Sequence, residues 1–300
     1  MRKEYILQVN GKKHTLGQRT WIMGVINVTP DSFSDGGLYF EEERAVERGM
    51  ELEAEGADII DVGGESTKPG SEPIAAEQEL KRIIPVISAL RKRTSSLISV
   101  DTTKSEVAQA ALDEGADIIN DISSFRFDSK MLPLAAQKQV PVVLMHMKGI
   151  PKTMQDNPRY EDVVLEVKAF FKEKIQAAQE HGINKEKIII DPGIGFGKGL
   201  KDNLVLINRL QTFEELGCPL LVGVSRKSFI GKILNSPAAE RLEGTIASAL
   251  LSIINGAHIL RVHDVAAVKR AVLVAEAIIN EDQTIDSLEE SREKKNRHVL

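Results

Sequence analysis

A seven-residue phrase occurs three times in this chain, and it restricts the fold more than any other feature. Glu55-Gly56-Ala57-Asp58-Ile59-Ile60-Asp61 returns as Glu114-Gly115-Ala116-Asp117-Ile118-Ile119-Asn120 and again as Asn255-Gly256-Ala257-His258-Ile259-Leu260-Arg261. In each copy a long helical segment stops at glycine, the usual residue just past a helix end, and a short apolar run leads to a polar residue. A helix-to-strand joint used three times reads as an internal α/β repeat.

The other strands fit the same scheme. Trp21 to Asn27, Leu97 to Asp101, Val140 to His146, Lys187 to Asp191 and Pro219 to Ser225 are apolar runs of strand length, as strands covered on both faces should be. Helical segments are predicted over Glu41–Glu55, Ala75–Arg93, Lys104–Glu114, Lys130–Lys138, Tyr160–Glu180, Asn203–Glu215, Ala239–Asn255 and Val265–Ile279. Eight strands alternating with eight helices predict an α/β fold, a (β/α)8 TIM barrel, with a doubly wound open sheet as the alternative. One domain then spans residues 1–280. Asn10-Gly11 within Tyr5 to Gln18 predicts an N-terminal β-hairpin capping the barrel bottom. Residues 281–300 are polar and charged, and a frayed or disordered tail is expected there.

Charge and composition narrow the partners. The net charge is −5 and the basic residues are spread along the chain, which argues against nucleic acid. The most apolar long stretch, Thr245 to Leu260, is interrupted by Asn255, Gly256 and His258, so no membrane partner is expected. The N-terminus lacks the apolar core of a signal peptide. The one cysteine, Cys218, sits between Gly217 and Pro219; it has no internal disulfide partner and reads as a small buried filler. A cytoplasmic location is the default expectation.

Barrel chemistry gathers at the C-terminal ends of the strands. Those ends carry Asn27, Asp61, Asp101, Asn120, Met145 with His146, Asp191, Ser225, and Arg261 with His263. Asp101, Asn120 and Asp191 are short acceptors suited to the edge of a flat heterocycle, because a carboxylate accepts two parallel N–H bonds and an amide offers one donor and one acceptor. Arg261 and His263, with Asn27 and a threonine loop, suit an oxyanion such as pyrophosphate. His258 lies at a strand start and reads as structural. Two segments rich in Gly, Pro, Ser and Asp, Thr29 to Gly37 and Ser66 to Ser71, read as lids. The glycine-rich run Asp191 to Lys198 satisfies neither a dinucleotide fingerprint nor a P-loop and reads as a close-approach loop. Ser225 to Gly231 opens a short helix whose start, with Lys227 and Ser228, suits an anionic group.

Together these segments resemble the dihydropteroate synthase family. The resemblance rests on Met23 to Gly37, Asp61 to Thr67, Ser99 to Thr102, Asn120 to Ile122, Asp191 to Lys198, Ser225 to Gly231 and Arg261 to Val265. It implies displacement of pyrophosphate from 6-hydroxymethyl-7,8-dihydropterin pyrophosphate by the amine of p-aminobenzoate. It also implies a pterin pocket of Asp101, Asn120, Asp191 and Lys227, with Ile122, Met145, Phe196 and Gly223 around the ring. Pyrophosphate would meet Asn27, Thr67, Arg261 and His263, with Mg²⁺ held partly by Asn27. p-Aminobenzoate would meet Phe33, Pro69, Lys227 and Ser228, and a homodimer is the family-level expectation. Lys68 departs from the family, which usually has arginine there. A pterin-binding methyltransferase domain and a non-catalytic pterin-binding paralogue are the rival readings.

Overall fold

The computed structural model describes residues 2–29 and 37–281, with the backbone alone for 37–41. Two antiparallel strands come first, β1 (Tyr5–Val9) and β2 (Lys12–Leu16), turning through Asn10 and Gly11 at φ of 48° and 75°. Both values lie in the left-handed region that a two-residue hairpin requires. Eight parallel strands follow: β3 (Trp21–Asn27), β4 (Ile59–Gly63), β5 (Leu97–Asp101), β6 (Ile118–Asp121), β7 (Val142–Met145), β8 (Ile188–Asp191), β9 (Leu221–Val222) and β10 (Ile259–Val262). They neighbour one another in the order β8-β7-β6-β5-β4-β3-β10-β9. A single parallel bridge between Ile190 and Leu220 brings β8 to β9, so the ring is nearly closed and the open-sheet alternative falls.

Helices α1 (Gly37–Ala54), α2 (Ala76–Arg91), α3 (Ser105–Asp113), α4 (Met131–Lys138), α5 (Val163–Glu180), α6 (Leu200–Asn208), α7 (Ser228–Leu234), α8 (Leu242–Ile254) and α9 (Val265–Ile279) intervene. The outward side chains of the strands pack against them in the main core, from Ile22 and Ile60 round to Val222 and Leu260. The inward ones, Met23, Ile59, Ile118, Val143, Ile189, Leu221 and Ile259, form a separate cluster. Leu7, Val9 and Leu16 of the hairpin join this inner cluster and seal the barrel's lower end with apolar surface.

The triple repeat explains both ends of its strands. Gly56, Gly115 and Gly256 have φ of +98°, +104° and +104°, which only glycine adopts cheaply. The following alanine N–H groups reach back to Leu52, Ala111 and Ser252 carbonyls at 2.9, 2.9 and 2.8 Å, ending each helix in a Schellman-type turn. The fourth position then caps a neighbouring strand. Asp58 accepts from the Ile22 N–H at 2.9 Å, Asp117 from Ile98 at 2.8 Å, and His258 Nδ1 from Leu220 at 3.1 Å. His258 is therefore structural, as its place at a strand start suggests.

Two elements differ from expectation. The strand predicted over Pro219 to Ser225 is reduced to Leu221–Val222, because Pro219 has no N–H to give a ladder and the chain enters a turn at Ser225-Arg226, closed by the Lys227 N–H on the Val224 carbonyl. The helix predicted over Asn203 to Glu215 divides into α6 and a 3-10 segment, Leu210–Leu216. Asn255 Nδ2 takes the Ile207 carbonyl at 2.9 Å and the Thr212 hydroxyl takes that of Arg209, so two acceptors of a continued helix are used by side chains. Cys218 follows Gly217, itself at φ +67°, and is 1% exposed; burial pushes its thiol up to about 12. Residues 30–36 of the first lid and all but residue 281 of the charged tail lie outside the described residues.

Candidate active site

The seventh positions of the repeat, Asp61, Asn120 and Arg261, converge at the upper mouth of the barrel. Arg261 Nε donates to Asp61 Oδ2 at 2.7 Å and its Nη2 to Asp101 Oδ2 at 2.7 Å. Asn120 Nδ2 faces both Asp61 oxygens at 3.2 and 3.3 Å. Asp61 is fully buried, and sequence reasoning placed it at a strand end without giving it a task. Its task here is to hold the arginine and the amide in place. The signal was available, since Asp61 shares its repeat position with two residues that had roles.

Burial sets the electrostatics of this cluster. It pushes the Asp101 carboxyl up to about 7, with the Arg261 guanidinium pulling the other way. Asp191 is also raised by burial, opposed chiefly by the Gly193 N–H that its Oδ1 accepts at 2.7 Å. Lys227 is lowered to about 8 by burial, and Arg261 pushes in the same direction. Burial opposes the charge on Arg261, but Asp61 and Asp101 outweigh it and hold the guanidinium proton more tightly than usual. His263 is lowered to about 4 by burial and then by Arg261, so it is neutral at pH 7; its Nδ1 lies 3.0 Å from the Ser225 hydroxyl.

Beside these polar groups lies an apolar floor. Ile122, Met145, Met147, Met154 and Phe196 form a small buried cluster of their own. Lys227 Nζ stands 4.1 Å from the Phe196 ring centroid, a cation–π contact across the end of the floor. Gly223 adjoins Arg261, with room for a Cβ at 3.9 Å from that of Arg261. A slot with a carboxylate-rich side, an apolar base and a cation at one end suits a flat heterocycle with alternating donors and acceptors.

The other predicted residues are less gathered. Asn27 ends β3 opposite Gly63 of β4, in the same layer as Asp101. Thr67 is half-buried and Pro69 exposed on the second lid. That lid is fastened at its base, where Lys104 Nζ meets Glu65 and Glu79 carboxylates at 2.5 Å each and Arg82 donates to the Gly64 carbonyl at 2.8 Å. Its tip reaches over to the loop after β7 through Gly70 N–H and the Pro151 carbonyl, 3.1 Å apart. Ser228 is exposed at the start of α7. Phe33 lies outside the described residues. Arg261, read from the sequence as an anion ligand, is thus bound to two carboxylates in this structure, one of them the pterin-edge candidate Asp101. Among the described residues no group of three His, Cys, Asp or Glu converges on a metal-sized site.

Comparison with known proteins points the same way. A family model described as pterin binding enzyme matches residues 23–263. A dihydropteroate synthase of Escherichia coli is 49% identical over 259 residues, 86% of this chain and 92% of that protein. A structure of Xanthomonas albilineans dihydropteroate synthase with 4-aminobenzoic acid superposes with a TM-score of 0.86 at 46% identity, covering 93% of this chain and 99% of that one. The Xanthomonas albilineans enzyme in complex with 7,8-dihydropteroate gives 0.83 at 44% identity, covering 92% and 99%.

Proposed function

The chain belongs to the pterin-binding enzyme family and acts as a dihydropteroate synthase in folate biosynthesis, and we propose how its mouth divides the work. The enzyme joins the methylene carbon of 6-hydroxymethyl-7,8-dihydropterin pyrophosphate to the amine of p-aminobenzoate, giving 7,8-dihydropteroate and pyrophosphate. Asp101, Asn120 and Asp191 meet the pterin edge, above the floor of Ile122, Met145 and Phe196. The observation that carries this assignment is three short polar side chains, all buried, at the end of the barrel above its apolar inner cluster, where Asp61 and Arg261 hold Asn120 and Asp101 in place.

An aromatic amine is a weak nucleophile, so departure of pyrophosphate does most of the work. As the C–O bond breaks, its electron pair leaves with pyrophosphate and positive charge spreads into the pterin ring. Ionised Asp101 and Asp191 stabilise that charge at the ring edge. Arg261 spends Nε and Nη2 on Asp61 and Asp101, which leaves Nη1 for the departing anion. Thr67, His263 and Asn27 complete that end. Lys227 and Ser228, with Phe33 and Pro69 of the lids, receive p-aminobenzoate. The amine then bonds to carbon and releases a proton. No activated nucleophile is needed.

Mg²⁺ fits as a group carried in with the substrate. Magnesium keeps several waters and takes few protein ligands beside phosphate oxygens. Asn27, at the strand end nearest the proposed pyrophosphate position, offers one such oxygen. Bound there, the ion would offset charge on the pyrophosphate oxygens.

A homodimer is supported by the outer faces of α8 and α9, where Leu251, Ile254, Leu273, Val274 and Ile278 are 53–67% exposed. Such a run of apolar residues suits a self-complementary interface, and sedimentation at several concentrations tests it. No helix among the described residues is long and apolar enough to cross a membrane. A cytoplasmic home accords with the single reduced thiol. The decisive assay is pyrophosphate release with and without p-aminobenzoate. Release that does not depend on the arylamine would overturn the reading, as would its absence with both substrates present.

A further inference from the structure

The loop after β8, Gly193 to Gly199, is fastened on every side. Gly195 N–H donates to Asn203 Oδ1 at 2.7 Å, and its carbonyl accepts from Gln155 Nε2 at 2.6 Å. The Gly197 carbonyl accepts the Tyr160 hydroxyl at 2.7 Å, and Asn203 Nδ2 reaches the Gly199 carbonyl at 2.7 Å. The loop also presses on the segment after β7. A Cβ on Gly193 would stand 2.0 Å from the His146 carbonyl oxygen, and one on Gly197 would stand 2.3 Å from that of Lys148. Both glycines have positive φ, so no other residue fits.

One side chain spans this seam. Lys198 is 2% exposed, and its Nζ lies 2.9 Å from His146 Nδ1, 3.1 Å from the His146 carbonyl and 3.0 Å from the Phe196 carbonyl. Burial lowers the Lys198 amine to about 7, with Asp191 opposing, and the three acceptors around Nζ match the three protons of its ammonium form. The bond to Nδ1 then requires neutral His146 with its proton on Nε2. Burial, and next the charge of Lys198, hold the His146 imidazole down at about 2, in agreement. The His146 ring meets Phe170 at an edge, with centroids 4.9 Å apart, which fixes its plane. The two carbonyls that Lys198 joins belong to residues directly at the floor: His146 follows Met145, and Phe196 carries the ring under Lys227.

We propose that Lys198 is a positioning residue for the pterin. By drawing the His146 and Phe196 carbonyls to one buried ammonium group, it sets the Phe196 ring against Met145 and Lys227 and fixes the width of the slot. This role rests on the pterin reading of the mouth given above. A lysine that served stability alone would lower the melting temperature and leave substrate affinity intact.

The test is Lys198→Met, which keeps the length of the stem and removes the three donors. Melting temperature, calorimetric pterin affinity and the kinetic constants are measured beside the parent enzyme. Pterin Kd and the KM for pterin pyrophosphate are expected to rise about tenfold, as loss of a buried charged hydrogen-bond donor implies. The kcat and the KM for p-aminobenzoate should stay within about twofold. A folded variant with parental pterin affinity, or one that loses kcat with KM unchanged, overturns the proposal. Should Lys198→Met not fold, Tyr160→Phe cuts one bond to the same loop from a half-buried position. It should raise the KM for pterin pyrophosphate about threefold, and no change there also overturns the proposal. A parent enzyme that bound no pterin would sink the functional reading and this one together. A parent that binds, beside a folded variant that binds equally well, sinks only this one.

Discussion

The two ends of the barrel use the same repeat to opposite purposes. At the lower end the repeat's Asp58 and Asp117 each accept a strand N–H and pair with an arginine, Arg19 at 2.6 Å and Arg91 at 3.0 Å. Both of these carboxylates have settled partners, and the hairpin adds apolar cover. At the upper end the same repeat supplies Asp61, Asn120 and Arg261, which lean on one another around three buried carboxylates, those of Asp61, Asp101 and Asp191. The lower end relieves electrostatic tension, whereas the upper end retains it, as the raised carboxyls of Asp101 and Asp191 record. Two residues of strand separate stability from chemistry.

The largest expected effect breaks the upper end alone. Asp191→Asn turns one acceptor into a donor against the pterin edge. The loss should be about 3 kcal/mol or more of pterin affinity, over a hundredfold, with little change in melting temperature. Near-parental affinity by calorimetry would remove Asp191 from the pterin.

Next comes the converse at the lower end. Asp117→Ala cuts bonds to the Ile98 N–H, Arg91 and Asn10. It should cost about 2 kcal/mol of stability in denaturant titration, with KM and kcat unchanged. Altered pterin affinity in this variant would show that the two ends are not separable.

A smaller effect concerns pH. Below about 7 Asp101 takes a proton and loses an acceptor; above about 8 Lys227 loses its charge. Pterin affinity should therefore be greatest between these values and fall about tenfold per unit outside them. A flat profile from calorimetry would show that neither group titrates in contact with the pterin. The sign for folding runs the other way on the acid side. Unfolded aspartate loses its proton near 4, well below folded Asp101. Raising the pH from there to about 7 thus subtracts stability at the mouth.

The smallest expected change is that of Lys68→Arg on the second lid. It should leave pterin affinity unchanged and improve turnover at most slightly, because residue 68 is exposed on the lid. A large shift in pterin affinity would mean that the lid reaches the ring.

Much of this was legible in the sequence because periodicity and punctuation carry it. Glycine after each helix, apolar strand runs and polar strand ends gave the barrel, the hairpin and the strand ends Asp101, Asn120 and Asp191. What escaped depends on contacts between distant segments. The Arg261 pairing with Asp61 and Asp101 joins residues 200 and 160 positions apart. No local pattern announces whether an arginine will face an anion or a carboxylate. Lys198 ends a glycine-rich run that fits no phosphate-loop pattern and reads only as a close-approach loop, and its tie to His146 appears only when β7 and β8 lie side by side. The short β9 was missed because an apolar run does not reveal where hydrogen-bond pairing ends.

Cys218 gives the lower end a property of its own. The thiol is 1% exposed and its ionisation is pushed up to about 12, so in the closed barrel it has neither access nor thiolate for an alkylating reagent. Labelling must wait for the chain near Gly217 to open. As the only cysteine, it yields one signal with no background. The rate of its modification is a clock for breathing at the end of the molecule farthest from the substrates, and running that clock with and without pterin would show how far ligand binding is felt.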